Sequence, residues 1–140
     1  MMRAFFQNLE GCPDFTELDL DELSRELGVD SRGLIPVITQ DASSKEVLML
    51  AWMNRAALSE TLSTGYVTYW SRSRNQLWVK GATSGHTQEL VSLSIDCDGD
   101  AILCQVNQVG AACHTGRKHC FYLRVDREKN KVRVVSSAYH

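Results

Sequence analysis

The densest group of chemically capable side chains is Asp96-Cys97-Asp98-Gly99-Asp100. Carboxylates at every second residue share one side of an extended chain. Three like charges that close repel unless a cation sits among them. An all-oxygen set suits a hard ion, Mg²⁺ or Ca²⁺. An EF-hand loop is excluded, because it needs a glycine at position 101 and a glutamate at position 107, where this chain has Ala101 and Asn107. The competing reading is an acidic turn between two strands with Gly99 at its bend, and these five residues alone do not separate the two.

The chain has five cysteines, an odd count. With no secretion signal the thiols are expected to be reduced, and reduced thiols serve as core residues, metal ligands or nucleophiles. In an extended segment Cys97 faces away from the flanking aspartates and is free for a second site. Cys113 and Cys120 bracket the polar, glycine-containing stretch His114-Thr115-Gly116-Arg117-Lys118-His119 and can converge on one ion. Zn²⁺ prefers thiolate and imidazole ligands, and three thiolates leave a fourth position open, as a catalytic zinc requires. No CxxC pair is present, which argues against a closed structural site. His114, beside a ligand, is the candidate general base or fourth ligand. The alternative for Cys113 and Cys120 is a pair of small core residues. Cys104, within an apolar run, reads as core, and Cys12 carries no signal. His119 could serve as a ligand but reads first as an exposed turn residue, and His140 is terminal and uninformative.

A third group spans Trp70-Ser71-Arg72-Ser73-Arg74 and Leu77-Trp78-Val79-Lys80-Gly81-Ala82-Thr83-Ser84-Gly85-His86. Arginine offers phosphate a planar fork and lysine a point charge. Thr83 and Ser84 add hydroxyls and backbone N–H groups, and Trp70 or Trp78 offers a stacking face. A hairpin with a solvated tip is the competing reading. Neither a Walker A nor a GxGxxG pattern is present.

These groups must be positioned by a scaffold of 140 residues, about one domain. Fifteen Lys+Arg against seventeen Asp+Glu give a net charge of −2, which excludes a globally basic nucleic-acid binder. No apolar run approaches the ~20 residues of a membrane span. Residues 14–27 are expected to form an acidic helix capped by Asp19 or Thr16 and stopped at Gly28. Residues 34–40 and 46–52 read as a hairpin around the turn cluster 41–45, with Pro36 marking an edge strand or a strand start. Asn54 is placed to cap a helix over 55–63 that stops near Gly65. Residues 66–70, 77–80, 88–95, 101–107, 120–125 and 131–135 complete the strands. The fold class is α+β: a mostly antiparallel, curved, pseudo-barrel-like sheet with one or two short helices and an N-terminal helical extension.

Read in order, these motifs resemble phosphoribosyl-AMP cyclohydrolases. The likeness rests on Trp70-Ser71-Arg72-Ser73-Arg74, Leu77-Trp78-Val79-Lys80-Gly81, Thr83-Ser84-Gly85, Asp96-Cys97-Asp98-Gly99-Asp100 and Cys113-His114-Thr115-Gly116 through Cys120-Phe121-Tyr122. Upstream, Gly33-Leu34-Ile35-Pro36 and residues 47–54 match as well. The resemblance implies hydrolysis of the N1–C6 bond of the adenine ring in 1-(5-phosphoribosyl)-AMP, a step of histidine biosynthesis, by a cytoplasmic enzyme. It implies zinc on Cys97, Cys113 and Cys120, magnesium on Asp96, Asp98 and Asp100, and a homodimer whose zinc ligands come from both chains. His114 is the expected proton-transfer group. The substrate phosphates are expected at Mg²⁺, Arg72, Arg74 and Lys80, with Thr83 and Ser84, and with Trp70 and Ser71 adding to the substrate site. Ala111 departs from the proline that many relatives have before Ala/Thr-Cys-His, and His119 from a small polar residue. Residues 1–32 form an extension that the core motifs do not require, ahead of a cyclohydrolase domain over 33–140. A monofunctional enzyme is expected, without the pyrophosphohydrolase often fused behind this region. The rival class, a zinc nucleobase deaminase, lacks its H-x-E…P-C-x-x-C signature here.

Overall fold

A computed structural model describes residues 3–135 of the chain. The first elements are two short helices, α1 (Ala4–Gln7) and α2 (Leu20–Arg25). They precede the hairpin β1 (Ile35–Asp41) and β2 (Val47–Met53) and the helix α3 (Arg55–Thr64). A second hairpin follows, β3 (Thr68–Ser71) and β4 (Gln76–Val79), and then the pair β5 (Gln88–Ile95) and β6 (Ile102–Gln108). The last elements are β7 (Leu123–Asp126) and β8 (Lys131–Val134). Four strands form one sheet in the order β2-β1-β6-β5, antiparallel except for the parallel pair β1 and β6. The hairpins β3–β4 and β7–β8 are separate ribbons, so the described strands are open sheets rather than a closed barrel.

Period-two burial builds the core. Ile35, Val37 and Thr39 of β1 point inward beside Ile102, Cys104 and Val106 of β6, all within 2% of full burial. Each fully buried aliphatic side chain there contributes about 1.5–3 kcal/mol. Pro36 is a strand start rather than an edge marker: β1 is an interior strand, but its pairing with β6 begins one residue later, at Val37↔Ile102. The missing N–H therefore leaves no gap in that ladder.

Helix α3 has both expected boundaries. Asn54 Oδ1 accepts from the Ala57 N–H at 2.8 Å, and Gly65 ends the helix at φ 78°. Thr61, buried on its inner face, receives the Thr68 N–H on its hydroxyl at 2.9 Å and so ties α3 to β3. A chain of buried polar groups then locks β3 onto the sheet. Thr39 Oγ1 lies 2.6 Å from Tyr69 Oη, which donates to Gln88 Oε1 at 2.6 Å. Gln88 Nε2 in turn donates to Gln108 Oε1 at 2.8 Å. Every member is satisfied, as burial demands.

The N-terminal segment differs from expectation. Asp19 caps α2 as predicted, its carboxylate accepting from the Glu22 N–H at 2.9 Å, but residues 14–19 are not helical. Phe15 is 98% exposed with φ 69°, so that stretch has no face to pack and no tertiary support for a helix. Phe6 and Leu27 are buried in the same core cluster as the sheet residues.

Candidate active site

Cys113 and Cys120 close a tight polar loop. The Ala112 N–H donates to Lys118 O, the Cys113 N–H to Arg117 O and the Gly116 N–H to Cys113 O, with Gly116 at φ 88°. The Cys120 N–H donates to Leu48 O at 2.7 Å, anchoring the loop's far end on β2. This folding brings the two thiols together so that each perturbs the other's ionisation. Burial opposes ionisation of Cys113, but the Thr115 hydroxyl, 3.0 Å from Sγ, the Thr115 backbone N–H, the Cys120 thiol and the Arg117 charge together lower the thiol. The Cys120 thiol is pushed up to about 11, first by burial and then by Cys113. Two thiols that cannot both ionise cheaply are a fitting partial cage for a soft or borderline cation.

Beside this loop lies a cavity of about 690 Å³, of the size that holds a nucleotide-sized ligand. Arg74, Lys80, Thr83, Ser84, His86, Cys113 and His114 contribute to its wall, and among the described residues no Asp or Glu does. The wall is thus cationic and rich in donors, a fit for phosphate. His114 is exposed at this wall. Lys80 is buried: its Nζ donates to Ala112 O at 2.7 Å and lies 5.3 Å from the Trp78 ring centroid. Desolvation lowers its pKa, against the pull of the Cys120 and Cys113 thiols. Lys80 therefore supports the cysteine loop as well as lining the cavity.

The residues expected to hold substrate divide between two places. Arg74, Lys80, Thr83 and Ser84 face the main cavity. Trp70, Ser71 and Arg72 line a second hollow with Trp52, where the Arg72 guanidinium stacks 4.7 Å from the Trp52 ring centroid. Among the described residues only Trp78 lines both.

The aspartates converge by a route other than the expected one. Residues 96–100 form a turn after β5, not an extended segment, with Gly99 at φ 72°. Asp96 Oδ1 accepts the Asp100 and Ala101 N–H groups at 2.9 and 3.1 Å, bending the chain back on itself. Ligand atoms of Asp96, Asp98 and Asp100 come within 4.8 Å of one another. The two readings of this motif thus coexist: it is a turn, and the turn gathers the carboxylates. Hydrogen bonding with Asp98, then burial, raises the Asp100 carboxyl to about 6, while Asp98 is lowered by the same sharing. Crowding of this kind is what a hard divalent cation relieves, so the donor set fits Mg²⁺.

Cys97 is exposed on this turn and lines a small hollow with Phe6, Leu9 and Leu23. Among the described residues, the three aspartates are the one group of three or more His, Cys, Asp or Glu side chains whose ligand atoms meet. Cys97 therefore does not reach Cys113 and Cys120 within a single chain. Cys104 is fully buried, and burial pushes its thiol up to about 12, as suits a core residue. Cys12 is exposed.

His119 is a correction. It is fully buried, not an exposed turn residue, and neither ring nitrogen has a hydrogen-bond partner among the described residues. The hydrogen bond from the Cys120 N–H to β2 draws the residue before it inward. His86 was not singled out by the sequence as a site residue, yet it contributes to the wall of the main cavity, with its ring packed so closely on Gly110 that a Cβ there would fall 2.6 Å from it. Its position two residues after Ser84, whose hydroxyl accepts the His86 N–H at 3.2 Å, was the available signal. His140 lies outside the described residues.

Comparison with known proteins gives the chain a family. The family model for phosphoribosyl-AMP cyclohydrolase matches residues 49–122. The chain is 52% identical over 127 residues to the phosphoribosyl-AMP cyclohydrolase of Hydrogenovibrio crunogenus, covering 91% of this chain and 86% of that protein. It is 54% identical over 121 residues to that of Alkalilimnicola ehrlichii, with 86% and 85% covered, and 62% identical over 97 residues to that of Hyphomonas neptunium, with 69% and 74% covered. A family-model match over more than half of the chain and relatives more than 50% identical along most of it show that this chain belongs to the phosphoribosyl-AMP cyclohydrolase family.

Proposed function

We propose that the cavity beside Cys113 and His114 is where this enzyme hydrolyses phosphoribosyl-AMP. The activity itself follows from family membership: the chain is a hydrolase of histidine biosynthesis that opens a ring C–N bond. The observation that carries the location is a nucleotide-sized cavity whose wall joins the thiol loop, two histidines, Arg74 and two hydroxyls, with no carboxylate among the described residues. A substrate with two phosphates finds there the charge it needs and no repulsion.

The thiol pair fits zinc, with Cys97 as the third ligand. When bound, such an ion acidifies a water toward a pKa of about 7 and so makes hydroxide available at neutral pH for attack on C6. The chain's own residues do the rest. Thr115 holds Cys113 toward its thiolate by donating to Sγ. Lys80, fixed on Ala112 O, supplies compensating positive charge behind the pair. His114, at the cavity wall, takes the proton from the attacking water and delivers it to N1 as the C6–N1 bond breaks. Arg74, Thr83 and Ser84 receive one phosphate. Asp96, Asp98 and Asp100 would hold magnesium, which would offset phosphate charge.

A second copy of the chain completes this site. Cys97 and the aspartates share one turn, and Cys113, Cys120 and His114 share another region, and nothing within one chain brings the thiols of the two together. A homodimer in which each site takes Cys97 from one protomer and Cys113 with Cys120 from the other supplies the missing donor.

The test is metal analysis of the purified protein alongside turnover of phosphoribosyl-AMP. Cys113→Ser is expected to lose zinc and activity together while keeping its circular-dichroism spectrum. Turnover by a zinc-free Cys113→Ser protein would overturn the mechanism.

A further inference from the structure

The carboxylate turn is held from behind by a part of the chain that the family motifs do not include. Arg3 Nη2 donates to Asp98 O at 2.6 Å. The Gly28 N–H donates to Gly99 O at 2.7 Å. Two successive carbonyls of the turn are thus taken up by the N-terminal segment. Between these bonds sits Phe6, only 3% exposed, with its ring pressed on the Gly99 backbone. A Cβ at Gly99 would fall 2.2 Å from that ring. The Arg3 guanidinium stacks on Phe6 at 5.0 Å from its centroid and passes so close to Gly28 that a Cβ there would fall 2.3 Å from it. Two glycines therefore make room for one arginine and one phenylalanine, and the four lock together.

We propose that residues 3–28 are a brace for the 96–100 turn, with Arg3 and Phe6 acting as positioning residues for its three carboxylates. Inside the turn, Asp96 Oδ1 already bends the chain through Asp100 and Ala101. The Gly99 N–H also donates to Asp96 O at 3.1 Å, so within the turn the two peptides flanking Gly99, at φ 72°, are held through their N–H groups while their carbonyls look to the N-terminal segment. Rotation of those peptides would swing the Asp98 and Asp100 carboxylates apart. Bonds to both carbonyls and a ring against the glycine restrain the same peptides from the other side, so the cost of ordering the ligands is met on folding rather than on metal binding. The same brace sets Cys97, which lines a hollow with Phe6, Leu9 and Leu23. This role rests on the reading of the turn as a magnesium site, and the experiment separates the two.

Arg3→Ala and Phe6→Ala are made in the full chain. Three quantities are compared with the parent: amide hydrogen exchange of residues 96–101 in metal-free protein, Mn²⁺ and Mg²⁺ dissociation constants by titration, and the Mg²⁺ activation constant against kcat at saturating Mg²⁺. Faster exchange confined to the turn, dissociation constants raised about tenfold, as for lost outer-shell support of a metal ligand, and kcat largely restored by excess Mg²⁺ are expected. Arg3→Ala keeps the buried core, so it remains informative if Phe6→Ala folds poorly. Unchanged turn exchange and unchanged metal constants in folded Arg3→Ala would overturn the brace, as would a uniform loss of thermal stability with the Mg²⁺ activation constant intact. Faster turn exchange in variants of a parent that itself binds no Mn²⁺ or Mg²⁺ upholds the brace and overturns the magnesium reading instead.

Discussion

Asp98 and Asp100 have the same side chain, yet the turn pushes their carboxyls in opposite directions, because each hydrogen-bonds with the other and only one can be the acceptor. Asp96 is further committed to two backbone N–H groups. The three aspartates are therefore not equivalent: Asp96 shapes the turn, while Asp98 and Asp100 are freer to turn toward a cation. Asp98→Asn keeps the shape and removes a charge. It is expected to weaken Mg²⁺ activation of turnover by about tenfold or more and to leave zinc content unchanged. Activation by Mg²⁺ identical to the parent's would count against the carboxylate site. His119 shows the opposite outcome at this scale, since its residue type suggested solvent and its neighbour's bond to β2 placed it in the interior.

The secondary-structure elements obey local chemistry where that chemistry is specific. Asn54 and Gly65 bound α3, Asp19 caps α2, and Asp41 ends the β1–β2 hairpin by accepting the Ser44 and Ser43 N–H groups at 2.8 and 3.1 Å. The Ser44 backbone bond is the main cause that holds the Asp41 carboxyl below its ordinary value of 3.8, against some burial. A carboxyl lowered on folding stabilises the fold above its unfolded pKa, and that contribution fades as pH falls through the folded value. Asp41→Ala is therefore expected to cost about 1 kcal/mol at pH 7. The difference from the parent should shrink below about pH 4, which urea titrations at the two pH values would measure. An equal cost at pH 7 and pH 3 would mean that the carboxylate charge is not what holds the turn. Periodicity was less informative for residues 14–19, where polar helix formers had nothing to pack on.

At the scale of the molecule, the zinc reading depends on a partner. If each site draws Cys97 from one protomer and Cys113 with Cys120 from the other, two inactive variants should complement. Cys97→Ser and Cys113→Ser are each expected to be inactive. In a heterodimer of the two, one site carries both defects and the other carries none. Refolding them together at equal amounts should restore about a quarter of parental activity, because half the dimers are mixed and each holds one whole site. No recovery on co-refolding, with dimers present by sedimentation, would show that the ligands do not cross. The same separation of groups divides the phosphate candidates, since Arg72 is occupied with Trp52 while Arg74 faces the cavity.

Whatever depends on neighbours a few residues apart was written in the sequence. The caps of α2 and α3, the β1–β2 turn, the convergence of Cys113 with Cys120 and the gathering of three aspartates all follow from short-range backbone geometry and side-chain reach. The motifs' order likewise carried the family likeness. What the sequence did not contain is which distant segments meet, because that is decided by the path of the whole chain and by the packing it permits. Only the tertiary structure separates Cys97 from the thiol loop, buries His119, brings His86 to the cavity wall and sets Phe6 against Gly99. The N-terminal segment shows the difference most clearly: its sequence reads as an appendage, and its contacts place it behind the carboxylates.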